Sequence, residues 1–312
     1  MDAFGDSGEL YNIRNQFYTG QFQKVKAYAL DQFSQEHQLK VLEYQIRSII
    51  ALGEDASQLI VNGKSQFPGN EQFFQLLGAW DDLKSFGVDD SPYFEGIKSA
   101  EFELQAVLTA VYLVKLKKDI DQAIKILTEY IDEAKGFNKF NELEPFLVLV
   151  QLHLVKGNFI AANKIFLNFK NFPDSSRDNI IYQVLESWLL SIKGESDNIN
   201  NAFYFYDELL SSDFDEDPQG KFKILNVLFA LTLQLKHIPE AKEIIAQIKA
   251  LNPKGNPDFL ANSITFEYLS NSGEKVDELL KELKSQDAEH PLLTDLEEKN
   301  KIFDEIVVKY KV

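Results

Sequence analysis

The chain has 312 residues, enough for two ordinary domains or for one extended helical array. Its formal net charge of -17 argues against binding to nucleic acid or anionic lipid, since an acidic chain repels phosphate groups. It contains no cysteine, which excludes disulfides, thiolate nucleophiles and cysteine-based zinc sites.

The N-terminal segment, residues 1–8, is predicted to be a flexible tail because it is acidic and contains two glycines. The first ten residues lack the basic and apolar regions of a signal peptide. No apolar run approaches the roughly 20 residues of a membrane helix. Together with the absence of cysteine and of Asn-x-Ser/Thr sites, this indicates a cytoplasmic protein.

The rest of the chain is predicted to form helical hairpins. The clearest is Leu147–Phe169, where apolar residues recur at helical spacing on both sides of a turn at Gly157. Similar helices are predicted around it, in chain order Glu9–Phe33 with a turn at Gly20, Leu39–Leu52, Asn70–Phe86, Tyr93–Lys118, a return helix after Asp119, Arg177–Lys193, a helix capped by Asp197 or Asn198, Phe222–Lys236, a helix opened by Pro239, Asp258–Leu269 and Lys275–Leu283.

Small apolar residues recur at one position of the second helices. Ala123, Ala162, Ala202, Ala241 and Val276 are separated by 39, 40, 39 and 35 residues. Self-similarity at such a period is typical of helical solenoids. The sequence therefore predicts an all-α fold, a tetratricopeptide-like solenoid of hairpins over residues 9–289. Whether the solenoid is open or curls closed is left undecided.

The last segment, residues 290–312, is predicted to be a helix that caps the open end of the solenoid. Its apolar residues share one stripe, on which Phe303 is expected to be a buried ring: Leu292, Leu296, Phe303, Val307 and Tyr310.

A partner-binding groove is predicted along the first helix of each pair, which forms the inner surface of tetratricopeptide arrays. When the helix pairs are aligned on the recurring alanines, the positions on the inner surface are rich in apolar residues. We therefore expect the partner to insert a hydrophobic segment that is surrounded by basic residues. The predicted groove residues are Tyr112, Leu116, Gln151, Leu154, Trp188, Ala230 and Leu233.

No catalytic, cofactor or metal site is predicted. Gly63-Lys64-Ser65 resembles the end of a phosphate loop, but Gln58 stands where that loop needs glycine, so an exposed loop is expected. The acidic run from Asp213 to Asp217 has Pro218 at the position where a calcium loop requires glycine, and is expected to be a solvated linker. The pair Asp81 and Asp82 is likewise expected to be solvating charge.

Two segments at the ends of the chain and two between them are similar to the epsilon subunit of coatomer. They are Glu9–Val25, Glu186–Lys193, Asn201–Leu209 and His290–Tyr310. The resemblance follows the same order along the whole chain and is weakest over 67–99. It implies a non-enzymatic subunit of the COPI coat that binds the C-terminal region of the alpha subunit. It also implies that the chain associates with Golgi membranes only indirectly, through the coat.

The alternative is a tetratricopeptide co-chaperone that clamps acidic peptide tails. Such clamps present cationic and amide side chains along their inner helices, because a buried carboxylate needs charged donors. The corresponding positions here include Glu144, Leu147, Gln151 and Leu154, and the net charge has the wrong sign.

Overall fold

The computed structural model describes residues 8–86, 92–133, 142–251 and 255–310. Within these ranges the protein contains seventeen α-helices and no β-strand, so the predicted all-α fold class is confirmed. The predicted tail lies outside the described residues except for its last position. The chain divides into two compact units, residues 1–192 and 193–312. The predicted division into one solenoid over 9–289 and a cap over 290–312 stays a prediction.

The first unit holds eleven of the described α-helices, most of them paired as hairpins. The helices are α1 (Tyr11–Tyr18), α2 (Phe22–Ala27), α3 (Gln35–Ala51), α4 (Ser57–Gln66), α5 (Glu71–Phe86), α6 (Pro92–Glu95), α7 (Glu103–Tyr112), α8 (Ile120–Glu133), α9 (Glu144–Val155), α10 (Phe159–Leu167) and α11 (Ile180–Lys193), the last of which ends at the boundary between the units. Short 3-10 turns follow α2 and α10, and a π-helical turn, Leu113–Lys117, continues α7.

The first unit closes on itself. Helix α3 packs against α5, α5 against α7, and α7 against α9. Side chains of α1 and α3 in turn bond to Glu142 and Glu144, at the beginning of α9. Helix α3 is therefore buried on two sides, which explains why charged Glu43 lies among its buried residues.

The second unit is built around one buried helix. It contains α12 (Ser196–Leu210), α13 (Pro218–Gln234), α14 (Ile238–Ala250), α15 (Pro257–Ser270), α16 (Val276–Gln286) and α17 (Pro291–Tyr310). Helix α13 packs against α12, α14 and α15, and its Leu225, Leu228 and Phe229 are buried in the main apolar cluster of the unit. A smaller cluster joins α15, α16 and the first turn of α17.

The small residues that define the repeat occupy packed positions. Ala123, Ala162, Ala202 and Ala241 are fully buried, and Val276 is nearly so. Gly157 adopts a φ of 69°, a left-handed conformation that glycine enters without steric cost and that ends α9 as expected. The helical hairpin as the building unit of the fold is therefore confirmed.

Several predicted helix boundaries are wrong. The predicted helix Tyr93–Lys118 is interrupted because the backbone of Phe102 is extended. Gln105 Oε1 accepts a hydrogen bond from the backbone N–H of Glu101, and a separate helix, α7, begins at Glu103. In the turn between α7 and α8, the left-handed residue is Lys118. Helix α12 has no side-chain cap from Asp197 or Asn198, and the amide of Asn198 instead donates to the carbonyl of Gly194.

Three groups expected at the surface are buried. Gly63 lies inside α4, not in an exposed loop, and contacts α3 and α5 so closely that a Cβ there would be 2.5 Å from Phe74 and 2.7 Å from Leu42. Asp81 is buried and accepts a hydrogen bond from Ser57 Oγ at 3.2 Å, at the first turn of α4. Asp217 is buried at the start of α13, so the acidic run that contains it is only partly solvated.

The last helix packs only through its first two turns. The Nδ1 atom of His290 accepts a hydrogen bond from Leu292 N, and the Nε2 atom of the same ring lies 3.3 Å from Asp258 Oδ1 of α15. Leu293 is buried, whereas every residue from 297 to 310 is exposed. The expectation that Phe303 is a buried ring is wrong, since 63% of its surface is exposed. Beyond its first two turns, α17 contributes no residue to the apolar clusters described in the second unit.

Candidate partner-binding surfaces

The predicted groove residues of the first unit differ widely in exposure. Tyr112 is buried and stacks on Phe94 with ring centroids 4.9 Å apart. Leu116 has 44% of its surface exposed, Gln151 is exposed, and Leu154 and Trp188 are half-buried. The most exposed positions of this set are therefore Leu116 and Gln151. Their contact with a partner stays a prediction.

The predicted groove residues of the second unit both lie on α13. Ala230 is half-buried, and Leu233 is buried in the main apolar cluster of that unit. Burial of Leu233 follows from the central place of α13, which packs against α12, α14 and α15. A partner could reach Ala230 from solvent, whereas Leu233 contributes to the packing beneath.

Among the described residues of the second unit, most of the exposed large apolar side chains lie on α17. Five of these side chains share one face, because their spacing of one, three, one and three residues keeps them within one sector of a helix. They are Ile302, Phe303, Ile306, Val307 and Tyr310. We call this set the α17 face. The apolar stripe of this helix is visible in the sequence. Hydrophobic periodicity alone, however, does not distinguish a face that is buried in the core from a face that a partner covers.

A buried charge cluster joins the N-terminal helices of the first unit to the beginning of α9. Arg14 donates to Glu142 from Nη2 at 3.0 Å, and the hydroxyl of Tyr44 donates to the same carboxylate at 2.8 Å. Arg47 forms a two-pronged ion pair with Glu144, in which Nη1 lies 2.8 Å from Oε2. This cluster fixes the position of α1 and α3 against the beginning of α9.

Within the cluster, Glu144 is held as an anion. Burial alone would raise the pKa of Glu144, but the positive charge of Arg47 and the hydrogen bonds it donates outweigh that effect and hold the pKa below its ordinary value. Arg47 also lies over the ring of Phe17, 4.7 Å from the centroid, which covers one face of the guanidinium with an aromatic surface. The geometry is that of a structural ion network, with no free carboxylate poised for proton transfer.

The described residues offer no constellation for chemistry. No group of three or more His, Asp or Glu side chains within the described ranges could hold a metal ion. The glycine of the Gly63-Lys64-Ser65 motif packs inside a helix and cannot cradle a phosphate. In the same ranges, no helix combines the length and the apolar character needed to cross a membrane. The arrangement is that of a helical scaffold whose exposed apolar faces offer surfaces for other proteins.

Comparison with known proteins gives this scaffold a family. A family model described as the coatomer epsilon subunit matches residues 6–67 and 106–311, and the chain belongs to that family. The unmatched segment between them coincides closely with the range in which the sequence resemblance is weakest.

Two curated proteins are similar to the chain. The coatomer subunit epsilon of Saccharomyces cerevisiae is 28% identical over 323 residues, which cover 97% of this chain and 98% of that protein. The probable coatomer subunit epsilon of Schizosaccharomyces pombe is 27% identical over 214 residues, covering 66% of this chain and 64% of that protein.

Proposed function

We propose that the protein is a non-enzymatic structural subunit of the COPI vesicle coat. In this role it binds and stabilises the C-terminal region of the alpha subunit, and so acts in retrograde transport from the Golgi to the endoplasmic reticulum and in transport within the Golgi. Membership of the coatomer epsilon family supports the coat assignment. The fold supports a scaffold, since stacked hairpins present long continuous surfaces to other proteins.

The single observation that carries the binding role is the exposed α17 face. A soluble monomer rarely leaves several large apolar side chains together in water, and such faces mark interaction sites. Here Ile302, Phe303, Ile306 and Tyr310 each have half or more of their surface exposed on one side of one helix. A coat subunit that is stabilised by its partner accounts for a face that its own chain does not cover.

The proposed location follows from the coat assignment. The protein would be cytoplasmic and peripheral on Golgi membranes and COPI-coated vesicles, with membrane association passing through the rest of the coat. The net charge of -17 supports this indirect mode, because anionic headgroups repel an acidic chain.

Co-elution with the purified C-terminal region of the alpha subunit on a sizing column tests the proposal. We expect a one-to-one complex that resists dilution and a higher unfolding temperature for the bound protein. Separate elution at micromolar concentrations, together with capture of an acidic C-terminal peptide, would contradict the coat assignment and favour the co-chaperone alternative.

A further inference from the structure

Two hairpin turns of the first unit lie side by side and leave apolar side chains in water. An ion pair between Lys156 and Asp121 joins the turn after α9 to the first turn of α8. In and beside these two turns four apolar residues are exposed, which together we call the turn patch: Leu116, Val155, Phe159 and Ile160. Three of them have half or more of their surface exposed, and Ile160 has 85% exposed.

The turn patch is not a by-product of helix packing. On the inner face of α10, Ala162 is buried and Ile165 packs against the apolar cluster of α7, α8 and α9. That face is therefore already covered by other helices of the unit. Ile160 and Leu167 are seven residues apart and lie on the outer side of the same helix, where both are exposed. An outer face with such large aliphatic groups is costly in water unless another surface covers it.

The surroundings of the turn patch are basic, in contrast to the chain as a whole. Residues 113–121 and 153–164 contain five lysines against two aspartates, whereas the full chain carries a net charge of -17. Lys156 is paired with Asp121 and Lys117 with Glu95. Three exposed lysines have no ion-pair partner among the described residues: Lys115, Lys118 and Lys164.

We propose that the turn patch binds an acidic amphipathic helix of another protein. Aliphatic side chains on one face of that helix would cover Ile160 and its neighbours, and flanking carboxylates would lie against the free lysines. This surface is additional to the α17 face, and its use does not depend on the proposed binding to the alpha subunit.

The charge distribution favours a protein segment over a lipid surface. Charges separated by more than about 8–10 Å are largely screened at physiological ionic strength, so a short helix meets mainly the local lysines. An extended anionic membrane would approach a larger part of the acidic surface and be repelled by it. An acidic helix therefore gains from the basic surroundings without that opposing repulsion.

Fluorescence anisotropy with a labelled peptide tests the proposal on the full chain. The probe is a helical peptide of about 18 residues made of Ala, Glu and Leu, with the leucines on one face. A matched peptide has Lys in place of Glu. We expect the acidic peptide to bind, its affinity to fall as salt is raised, and the basic peptide to bind at least about tenfold more weakly.

Two variants address the patch, and each has a control. Ile160→Asp and the double change Lys115→Glu with Lys164→Glu are expected to weaken peptide binding about tenfold or more. Val61→Asp, exposed on α4, and Lys242→Glu with Lys249→Glu, exposed on α14, are expected to change it less than about twofold. Circular dichroism checks that each variant keeps its helix content.

Three results would overturn the proposal. One is an absence of peptide binding, and another is an equal loss of binding in the control variants. The third is cosedimentation with phosphatidylserine vesicles that Ile160→Asp abolishes while the peptide stays unbound, which would assign the patch to lipid. We expect the Ile160→Asp variant to co-elute with the alpha-subunit region as the unchanged chain does. That result would show that the coat assignment stands whether or not this proposal fails.

Discussion

Arg14 and Glu142 form a two-pronged ion pair although 128 residues separate them, with Nη2 to Oε1 at 3.0 Å and Nε to Oε2 at 3.1 Å. Both side chains are buried, and Tyr44 donates a further hydrogen bond to the same carboxylate. Burying two charges costs solvation free energy, which the pair recovers only with good geometry and further hydrogen bonds. The contact therefore sets where the N-terminal helices join the beginning of α9.

Replacement of Glu142 by alanine should strongly destabilise the protein, because it leaves the guanidinium of Arg14 buried without its counter-ion. The expected loss in the free energy of unfolding is about 3–5 kcal/mol. Urea unfolding followed by circular dichroism measures it. The matched control is Glu54→Ala, which breaks the more exposed Lys26–Glu54 pair and should cost no more than about 1 kcal/mol. Equal losses in the two variants would show that the buried pair has no special structural role.

Acid should weaken the fold through Glu144. Because the pKa of Glu144 is lower in the folded state than in the unfolded chain, its stabilisation is complete above the ordinary glutamate pKa of about 4.3. It is lost as the pH falls from there through the folded pKa. Glu9, whose pKa is lowered to about 2 by hydrogen bonds from the Ser34 backbone and from His37, acts in the same direction.

Unfolding free energies measured between pH 7 and pH 3 check this prediction. In Glu144→Gln the fall in stability across that range should be smaller than in the unchanged chain, because only Glu9 and other carboxylates still titrate. An identical acid dependence in the two proteins would mean that Glu144 gains nothing from Arg47 in the folded state.

Gly63→Ala should destabilise the packing of α3, α4 and α5. The added Cβ would lie 2.5 Å from a ring carbon of Phe74 and 2.7 Å from a methyl carbon of Leu42, so both neighbours must shift. We expect a loss of about 1–3 kcal/mol. Gly78→Ala is the control, because a Cβ at this helical glycine meets nothing within 4 Å and should stabilise α5 by about 0.5–1 kcal/mol. A neutral or stabilising Gly63→Ala in thermal unfolding would contradict the observed close approach.

The repeat and the hairpins could be predicted from the sequence, because the signals that specify them are local. A small residue such as Ala162 must recur where two helices approach, and Gly157 must allow a left-handed turn. The charge cluster could not be predicted, since Arg14 and Glu142 become neighbours only after the first unit closes. The burial of Phe303 was predicted wrongly because an apolar stripe looks the same whether its own chain or a partner covers it.

Ala162→Leu tests the repeat position directly. Ala162 is fully buried between the helices of its hairpin, so a larger side chain must displace them. We expect a loss of about 1–3 kcal/mol in the free energy of unfolding. Ala161→Leu, at a half-buried position on the same helix, should cost clearly less. If the two variants unfold at the same denaturant concentration, the small residue is not required at this position.

The most direct test of the coat assignment is the affinity of the α17 face for the C-terminal region of the alpha subunit, measured by titration calorimetry. The test variant replaces Phe303 and Ile306 by serine. The control is Val308→Ser, which removes an apolar side chain that is 75% exposed on another side of the same helix. All three proteins should unfold at similar temperatures, since none of these side chains is buried. We predict that the double variant binds about tenfold or more weakly and that the control binds within about twofold of the unchanged chain. Full affinity in the double variant, or no binding by the unchanged chain, would contradict the account.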